Sequence, residues 1–416
     1  MLHFTKNRHI NLMSGLILTP GFETSNQTTD HYTVFVANLS DEKASLHLSD
    51  EEVTLFSNSA VRSALFFQHH MMQYNSQGDI VARPRDEIKS IIQTLQSCNL
   101  HRAAQSIPTL EFAFDAEPAP VQTRRYYNNP DGWPNDEMQQ AYKIIDMMQT
   151  GQIKDFLADE VLDKGYFPQL PSQRLQGSIG TDNLRSAKLL AQGIGQITGC
   201  AMGALGIDTL YAPVMDLGAV AFHERCYGSN PDITIDLAEQ WALGALSQPG
   251  IQRICLKHAP GHGVEIESSH DTHDTHNSVC RSRASRTTIK HHLHVFSEVI
   301  RRLRQHGVSE EAVRVMTNHI VYTNLDPHAP VSLSKKAMYF IQEHMPDSVH
   351  YIADCVNMAS FGADNGDFLT NLKCANELHS GGVIATTHYV KKASRLTMMN
   401  SIKTRVPQHQ LASTQK

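Results

Sequence analysis

Apolar residues recur every three or four positions in several stretches after residue 180, and this spacing is typical of amphipathic helices. The first stretch covers residues 184–205, and Gly206 stands where this helix would end. The second begins at Pro231, a residue type favoured in the first turn of a helix. The third covers residues 289–303 and is followed by Gly307. Each stretch predicts a helix with one buried face.

Short apolar and β-branched runs alternate with these helices and predict strands. The predicted strands in this part of the chain are residues 209–214, 252–256, 313–317 and 349–353. Ser334 is placed to cap a further helix that ends near His344. Strand followed by helix, repeated at this spacing, favours parallel β/α units in either a closed barrel or an open doubly wound sheet.

The first third of the chain has a less regular pattern. It predicts strands at residues 15–18, 64–67 and 111–114 and a helix at residues 86–96. Residues 124–170 combine several Asn, Gly and Pro residues with a helical run, and they predict an insertion between core elements.

Polar or ionisable residues stand at the end of each later predicted strand. They are Asp216, Lys257 with His258, His319 and Asp354. Both candidate folds place functional residues at the carboxyl ends of their strands. These five residues are therefore the first candidates for a functional site.

Composition narrows the class of protein. The 416 residues are 41% hydrophobic and carry a net charge of −6, without the basic excess that a nucleic-acid backbone attracts. The seven Cys residues are scattered with no C-x-x-C pair, which favours reduced thiols in a cytoplasm. Residues 1–18 lack the apolar core of a signal peptide, and the longest uncharged apolar stretch, residues 197–207, is too short to cross a bilayer. We expect a cytoplasmic protein that binds neither nucleic acid nor membrane.

One segment carries a specific motif. Residues 257–263 read K-H-A-P-G-H-G and are followed by S-S-H at residues 268–270. This segment resembles glycoside hydrolase family 3, in particular the bacterial β-N-acetylhexosaminidases of peptidoglycan recycling, whose signature is K-H-F-P-G-H-G, four residues and then D-S-H. Four further segments resemble family motifs in the same order: D-A-E at 115–117, A-P-V-M-D at 212–216, R-C-Y-G-S at 225–229 and V-M-T-N-H at 315–319. Asp354, with Met358 after it, resembles the family's S-D-D-L-x-M.

The resemblance implies a retaining exo-β-N-acetylglucosaminidase on an α/β, (β/α)₈ TIM-type barrel that forms a single catalytic domain. The expected barrel covers residues 1–375, with the insertion at about 124–170, and a C-terminal barrel helix and tail follow at 376–416. The implied substrate is a saccharide or muropeptide that contains N-acetylglucosamine (GlcNAc). No cofactor or metal is expected, and the chain is expected to be a monomer or a weak homodimer.

The resemblance also assigns catalytic roles. Asp354 matches the nucleophile that forms a covalent glycosyl ester. His270 matches the general acid/base, and an imidazole with a pKa near 6.5 can both give and take a proton at neutral pH. The family's orienting Asp is Ser268 in this sequence, so His273, which has an Asp two residues before it, is the second choice.

Four further residues match the family's substrate-binding positions. Asp115 accepts hydrogen bonds from sugar hydroxyls, whereas Arg225, Lys257 and His258 donate them. The residues after the D-A-E segment are P-A-P at 118–120, where the family has G-G-R.

Three alternatives remain open at this point. The substitutions at Ser268 and residues 118–120 suggest a sugar-binding barrel without turnover. A His acid/base repels an anionic acceptor less than a carboxylate does, which is compatible with transfer to phosphate. The histidines between His258 and His276 suggest a metallohydrolase, although their spacing is not that of a helical metal motif.

Overall fold

The computed structural model describes residues 13–18, 37–38, 48, 53, 56–57, 62–66, 71–74, 80–117, 129–218, 224–262, 279–356, 358–361 and 368–385. The strands are β1 (Met13–Leu18), β2 (Ala37–Asn38), β3 (Ser63–Phe66), β4 (Met72–Tyr74), β5 (Ile80–Ala82), β6 (Glu111–Phe114), β7 (Thr209–Leu210), β8 (Arg253–Ala259), β9 (Arg281–Ser282), β10 (Val313–Thr317), β11 (Val321–Tyr322), β12 (His350–Cys355) and β13 (Gly382–Ala385).

The α-helices are α1 (Arg85–Ala104), α2 (Glu137–Thr150), α3 (Ile153–Phe156), α4 (Gln173–Asp182), α5 (Leu184–Gly203), α6 (Pro231–Leu246), α7 (Arg286–Gln305), α8 (Lys335–Gln342) and α9 (Phe368–Leu378). A π-helical turn, Leu157–Asp163, follows α3, and short 3₁₀ turns lie at Glu310–Ala312, Val331–Leu333 and Ala359–Phe361. No helix of the described residues is long and apolar enough to cross a membrane.

A curled, mostly parallel sheet forms the centre of the fold. Its strand order is β13-β12-β10-β8-β7-β6-β3-β1-β2, and the series from β3 to β13 is parallel throughout. β1 pairs antiparallel with both β3 and β13, so that Leu16 lies opposite Ala64 on one side and Ala385 on the other. The predicted α/β class and parallel sheet are confirmed. The described residues do not show the eight parallel β/α units of a TIM-type barrel, because β1 runs against both of its neighbours.

The helices are formed where the periodicity predicts them. α5, α6 and α7 begin within three residues of their expected starts, and each has a side-chain cap: Asn183, Asn230 and Ser285 accept hydrogen bonds from backbone N–H groups of the first turn. Ser334 caps α8 as predicted, since its hydroxyl accepts from the N–H of Ala337.

Glycines allow α5 and α6 to pack with their backbones close together. A Cβ added to Gly195 would lie 2.2 Å from the carbonyl oxygen of Trp241, and one added to Gly244 would lie 2.2 Å from that of Gln192. A methyl group has no room at either position. The helix pair therefore depends on residues without a side chain at these two points.

The described part of the predicted insertion packs tightly against its surroundings. Arg85 of α1 donates to the carbonyl of Leu162 at 2.9 Å, at the end of the π-helical turn. The Trp133 indole donates to the carbonyl of Gln169 at 2.8 Å, and the Gln169 N–H donates to Asn129 at 2.7 Å. These bonds join the two ends of the segment to each other and its middle to the first helix.

The sheet continues beyond the expected domain boundary. The position between residues 375 and 376 falls inside α9, and β13 after it pairs with β12 and β1. Residues 382–385 are therefore a strand of the central sheet.

Candidate active site

Two predicted site residues lie at irregular points of the sheet. The register between β8 and β10 shifts so that His258 is the extra residue on β8, and the register between β12 and β13 shifts so that Asp354 is the extra residue on β12. A β-bulge bends the strand and re-aims the side chain that it carries, and bulges are common beside active sites. Both residues are near the carboxyl ends of parallel strands, where the sequence predicted the site.

Four charged side chains form an ion cluster at this edge of the sheet. Lys257 Nζ lies 2.5 Å from Asp115 Oδ1 and 2.5 Å from Glu117 Oε1. Arg225 binds Glu117 with two nitrogens, Nε to Oε2 and Nη2 to Oε1, the second at 2.6 Å. We call Asp115, Glu117, Arg225 and Lys257 the carboxylate–cation cluster.

Burial and the charges of the neighbours set the protonation states of this cluster. Burial raises the pKa of Asp115; Lys257 opposes this increase and the negative charge of Glu117 adds to it. Burial also acts to raise the pKa of Glu117, but Arg225 and Lys257 outweigh it and hold that pKa well below its usual range. The pKa of Lys257 is raised: burial acts to lower it, and Asp115 and Glu117 overcome that effect. Both cations are thus fully charged at neutral pH.

Asp216 organises the segment that follows β8. One oxygen of its buried carboxylate lies 2.8 Å from His258 Nδ1, and the other accepts from the backbone N–H of His262 at 2.6 Å. Burial acts to raise the pKa of Asp216, but these two histidines outweigh it and lower that pKa. The carboxylate thus orients the His258 ring and fixes the start of the segment that leads to residues 263–278.

Side-chain hydrogen bonds from Asn318 and Tyr322 also hold this segment. Asn318 donates through its side chain to the carbonyls of His258 and Gly261, at 3.4 and 3.3 Å, and the Tyr322 hydroxyl also donates to Gly261. Gly261 has a φ of +125°, and a Cβ there would lie 2.5 Å from Nδ1 of the His292 ring. Only glycine fits this turn.

His319 is a structural residue rather than a residue that faces the open edge. It is buried; Nε2 lies 2.9 Å from the carbonyl of Cys355 and Nδ1 lies 2.6 Å from the Ser332 hydroxyl. Because a carbonyl only accepts, Nε2 is assigned the hydrogen and Nδ1 accepts from Ser332. His319 therefore ties the segment after β10 to the end of β12.

Asp354 is half-buried, and its Oδ1 accepts from the backbone N–H of Cys355 at 2.6 Å. The Cys255 thiol of β8 is also buried. Burial raises the pKa of Cys255 to about 12, with Arg314 and Lys257 opposing the increase and Asp354 and Asp115 adding to it.

A family model covers most of the segments described above. Residues 153–408, more than half of the chain, match the model described as Glycosyl hydrolase family 3 N terminal domain. The chain belongs to glycosyl hydrolase family 3. The matched region of this family-3 chain includes Arg225, Lys257, His258 and Asp354, whereas Asp115 and Glu117 precede it.

Curated relatives of the family-3 chain are named Beta-hexosaminidase. The protein from Alkalilimnicola ehrlichii is 24% identical over 229 residues, which are 53% of this chain and 60% of the relative. The protein from Thiobacillus denitrificans is 32% identical over 107 residues, 25% of this chain and 29% of the relative. The chain thus spans between about a third and three fifths of the length of these relatives.

Solved structures share the fold of the family-3 chain. NagZ from Neisseria gonorrhoeae in complex with N-trifluoroacetyl-D-glucosamine has a TM-score of 0.60 at 18% identity, with 86% of this chain and 82% of that chain covered. A family 3 beta-N-acetylglucosaminidase from Paenibacillus sp. has a TM-score of 0.56 at 18% identity, with 86% and 55% covered.

The structure of the family-3 chain brings together Asp115, Arg225 and Lys257, and His258 follows Lys257 in sequence. The structure also places Glu117 in this cluster. The sequence analysis did not select Glu117, although its two-residue spacing from Asp115 puts both side chains on the same side of an extended chain. His270, His273, Ser268 and residues 118–120 lie outside the described residues. Within the described residues, no group of three His, Cys, Asp or Glu side chains is placed to hold a metal ion.

Proposed function

We propose that this chain is a retaining exo-β-N-acetylglucosaminidase that removes a terminal GlcNAc from peptidoglycan-derived saccharides or muropeptides. One observation carries the proposal: a family-3 chain presents Asp354, on a bulge, at the same sheet edge as the carboxylate–cation cluster. The names of the curated relatives and the sugar derivative bound to the solved gonococcal protein support the choice of sugar.

The proposed reaction has two steps. The Asp354 carboxylate attacks the anomeric carbon while an imidazole, His270 or alternatively His273, gives its proton to the departing glycosidic oxygen. A covalent glycosyl ester and a free alcohol result. The same imidazole then takes a proton from water, the water oxygen attacks the anomeric carbon, and the ester bond to Asp354 breaks with retention of configuration.

The carboxylate–cation cluster holds the sugar in this scheme. Asp115 accepts from sugar hydroxyls, and Arg225, with Lys257 and His258, donates to hydroxyls and to the acetamido carbonyl. A charged partner makes each such hydrogen bond about twice as strong as a neutral one. A cytoplasmic location, which the scattered cysteines without a C-x-x-C motif favour, and a monomer or weak homodimer complete the proposal.

The experiment measures phenol release from an aryl β-N-acetylglucosaminide, with the aryl β-glucoside as the substrate control. Asp354→Ala should lower kcat by about 10⁴-fold or more, because it removes the nucleophile. A fluorinated GlcNAc donor that slows the second step should leave a sugar-sized mass on the peptide that contains Asp354. Asp347→Ala is the matched control, since this aspartate is exposed at the other end of β12.

Each outcome decides a separate point. If Asp354→Ala releases phenol at the wild-type rate, Asp354 is not the nucleophile. Binding of GlcNAc by the wild type without any release would make the chain a sugar-binding protein. Production of a GlcNAc phosphate in the presence of inorganic phosphate would make it a transferase rather than a hydrolase.

A further inference from the structure

We propose that Glu117 is the positioning residue of this site: its one carboxylate holds the Arg225 guanidinium and the Lys257 ammonium in place, while Asp115 is the carboxylate presented to the substrate. This inference rests on the proposed function, which assigns sugar binding to Asp115, Arg225 and Lys257. Glu117 itself has no assigned part in that binding.

The hydrogen bonds make Glu117 the centre of the cluster. Its Oε1 is shared, since Lys257 Nζ lies 2.5 Å away and Arg225 Nη2 lies 2.6 Å away. Its Oε2 accepts from Arg225 Nε. A bidentate pair of this kind fixes the plane of a guanidinium as well as its position. Lys257 Nζ also lies 2.5 Å from Asp115 Oδ1, so the ammonium links Glu117 to Asp115.

Exposure separates the four side chains into an inner and an outer pair. Glu117 and Lys257 keep 9% and 3% of their side-chain surface exposed, whereas Arg225 and Asp115 keep 22% and 27%. A ligand that arrives from solvent therefore meets Asp115 and Arg225 first. The inner pair supports them, and Lys257 serves the substrate mainly by orienting Asp115.

The charges of the cluster balance, and Glu117 supplies half of the negative charge. With Glu117 in place, two carboxylates face two cations, and no net charge is buried. Without it, Asp115 would face both Lys257 and Arg225 alone. The cations would then draw the Asp115 carboxylate toward themselves and away from sugar hydroxyls.

Glu117→Gln and Glu117→Asp separate the charge of this residue from its reach. Gln keeps the length but removes the charge, so the KM for the aryl β-N-acetylglucosaminide should rise about 10- to 100-fold with a much smaller change in kcat, as expected when binding common to ground and transition states is lost. Asp keeps the charge but is one methylene shorter, so it should also raise KM because it does not span both cations.

The pH profile of kcat/KM gives a readout that a purely structural role does not change. Burial, together with the negative charge of Glu117, raises the pKa of Asp115, so removal of that charge lowers this pKa. The acid limb that reports ionisation of Asp115 should therefore move to lower pH in Glu117→Gln and stay in place in Glu117→Asp.

Glu111→Gln is the matched control. Glu111 also binds an arginine with both oxygens, Arg314 at 2.6 and 2.7 Å, and it is the first residue of β6, whereas Glu117 follows the end of that strand. This variant should lose stability but keep the wild-type KM and acid limb. If Glu117→Gln behaves like Glu111→Gln, Glu117 only supports the fold and the proposal is wrong.

A direct binding measurement keeps this test separate from the proposed function. If the wild type binds GlcNAc calorimetrically but cleaves no aryl glycoside, the hydrolase proposal fails, and a Kd at least tenfold weaker in Glu117→Gln still supports the positioning role. If the wild type neither binds nor cleaves, both proposals fail together.

Discussion

Asp216 shows how one buried side chain fixes several groups at once. Its two oxygens bind the His258 ring and the backbone N–H of His262, which lie on either side of the turn at residues 259–261. A carboxylate can do this because it has two oxygens and each of them accepts hydrogen bonds. The position of the segment after β8 is therefore tied to the ionised state of a single residue.

The pKa of Asp216 makes a prediction about stability. This pKa is lowered in the folded chain, so the ionised carboxylate stabilises the fold above the ordinary Asp value near 3.9, and that contribution is lost as the pH falls toward the folded pKa. Asp216→Asn should lower the free energy of unfolding by about 2–3 kcal/mol at pH 7. The deficit should shrink as the pH falls below about 4.

Urea unfolding of the wild type and Asp216→Asn, from pH 7 to pH 3, checks this prediction. Asp347→Asn is the control, because that side chain is exposed. An equal difference between wild type and Asp216→Asn across the whole range would show that ionisation of Asp216 does not contribute.

Among the helices, contact through glycines makes the pair α5–α6 intolerant of added atoms. Gly195 faces backbone atoms of α6, whereas Gly193, in the same helix, faces side-chain atoms: an added Cβ would lie 2.6 Å from Ile144 Cγ2 and 3.0 Å from Met148 Cγ. Backbone atoms of a helix cannot move aside as the end of a flexible side chain can. The two glycines thus test the same substitution against two kinds of neighbour.

Gly195→Ala should destabilise the fold by roughly 2–4 kcal/mol, because its methyl group overlaps a carbonyl oxygen of α6. Gly193→Ala should destabilise the fold by less, roughly 1–2 kcal/mol, because the Ile144 and Met148 side chains have to shift and alanine's higher helix propensity offsets part of that cost. The midpoint of urea unfolding checks both variants. Equal effects of the two substitutions would contradict the close packing of the backbones.

Periodicity predicted the elements that bury one face, and it failed where backbone chemistry intervenes. β10 has the predicted bounds, residues 313–317, and its Val313, Val315 and Thr317 are β-branched residues that favour strands. The strand predicted at residues 209–214 has the bounds 209–210: Tyr211 still donates to the Phe114 carbonyl at 2.8 Å, but after Pro213, which has no N–H, Val214 forms only an isolated bridge with Lys257. β8 runs past its predicted end to Ala259, and the bulge at His258 is not visible in an apolar pattern.

The site was predictable only as far as strand order allows. Lys257 stands at the carboxyl end of a predicted strand, so a rule about strand ends finds it, whereas Asp115 was selected through the family resemblance. The role of Glu117 depends on Arg225, which lies 108 residues further along the chain, in the segment between β7 and α6. No local pattern encodes a partner at that distance.

Across the whole molecule, the amino ends and the carboxyl ends of the parallel strands carry different charged groups. The end opposite the carboxylate–cation cluster contains Glu111 with Arg314, and Asp208 with Arg253 at 3.6 Å. Burial raises the pKa of Asp208 to about 6, with Glu111 adding to the increase and Thr209 and Arg253 opposing it. Asp208 and Asp216, at opposite ends of the strands, should therefore make contributions of opposite sign to the pH dependence of stability.

Asp208 gives the second contribution. Its folded pKa is raised, so the stability it contributes is present below the ordinary Asp value near 3.9 and is lost as the pH rises through about 6. The free energy of unfolding of the wild type, relative to Asp208→Asn, should fall by about 2–3 kcal/mol between pH 4 and pH 7. Urea unfolding over that range checks this change, and a rise with pH would reverse the assigned sign.

The antiparallel position of β1 has a consequence for synthesis on the ribosome. β1 is synthesised before β3 and can pair with it as soon as β3 has been made. The other edge of β1, at Leu16, stays unpaired until Ala385 has been made. Until β13 leaves the exit tunnel, that edge exposes unpaired backbone N–H and C=O groups, with which a strand of another chain can pair. A nascent chain stalled before residue 382 should therefore be a better client for chaperones than one released a few residues after it.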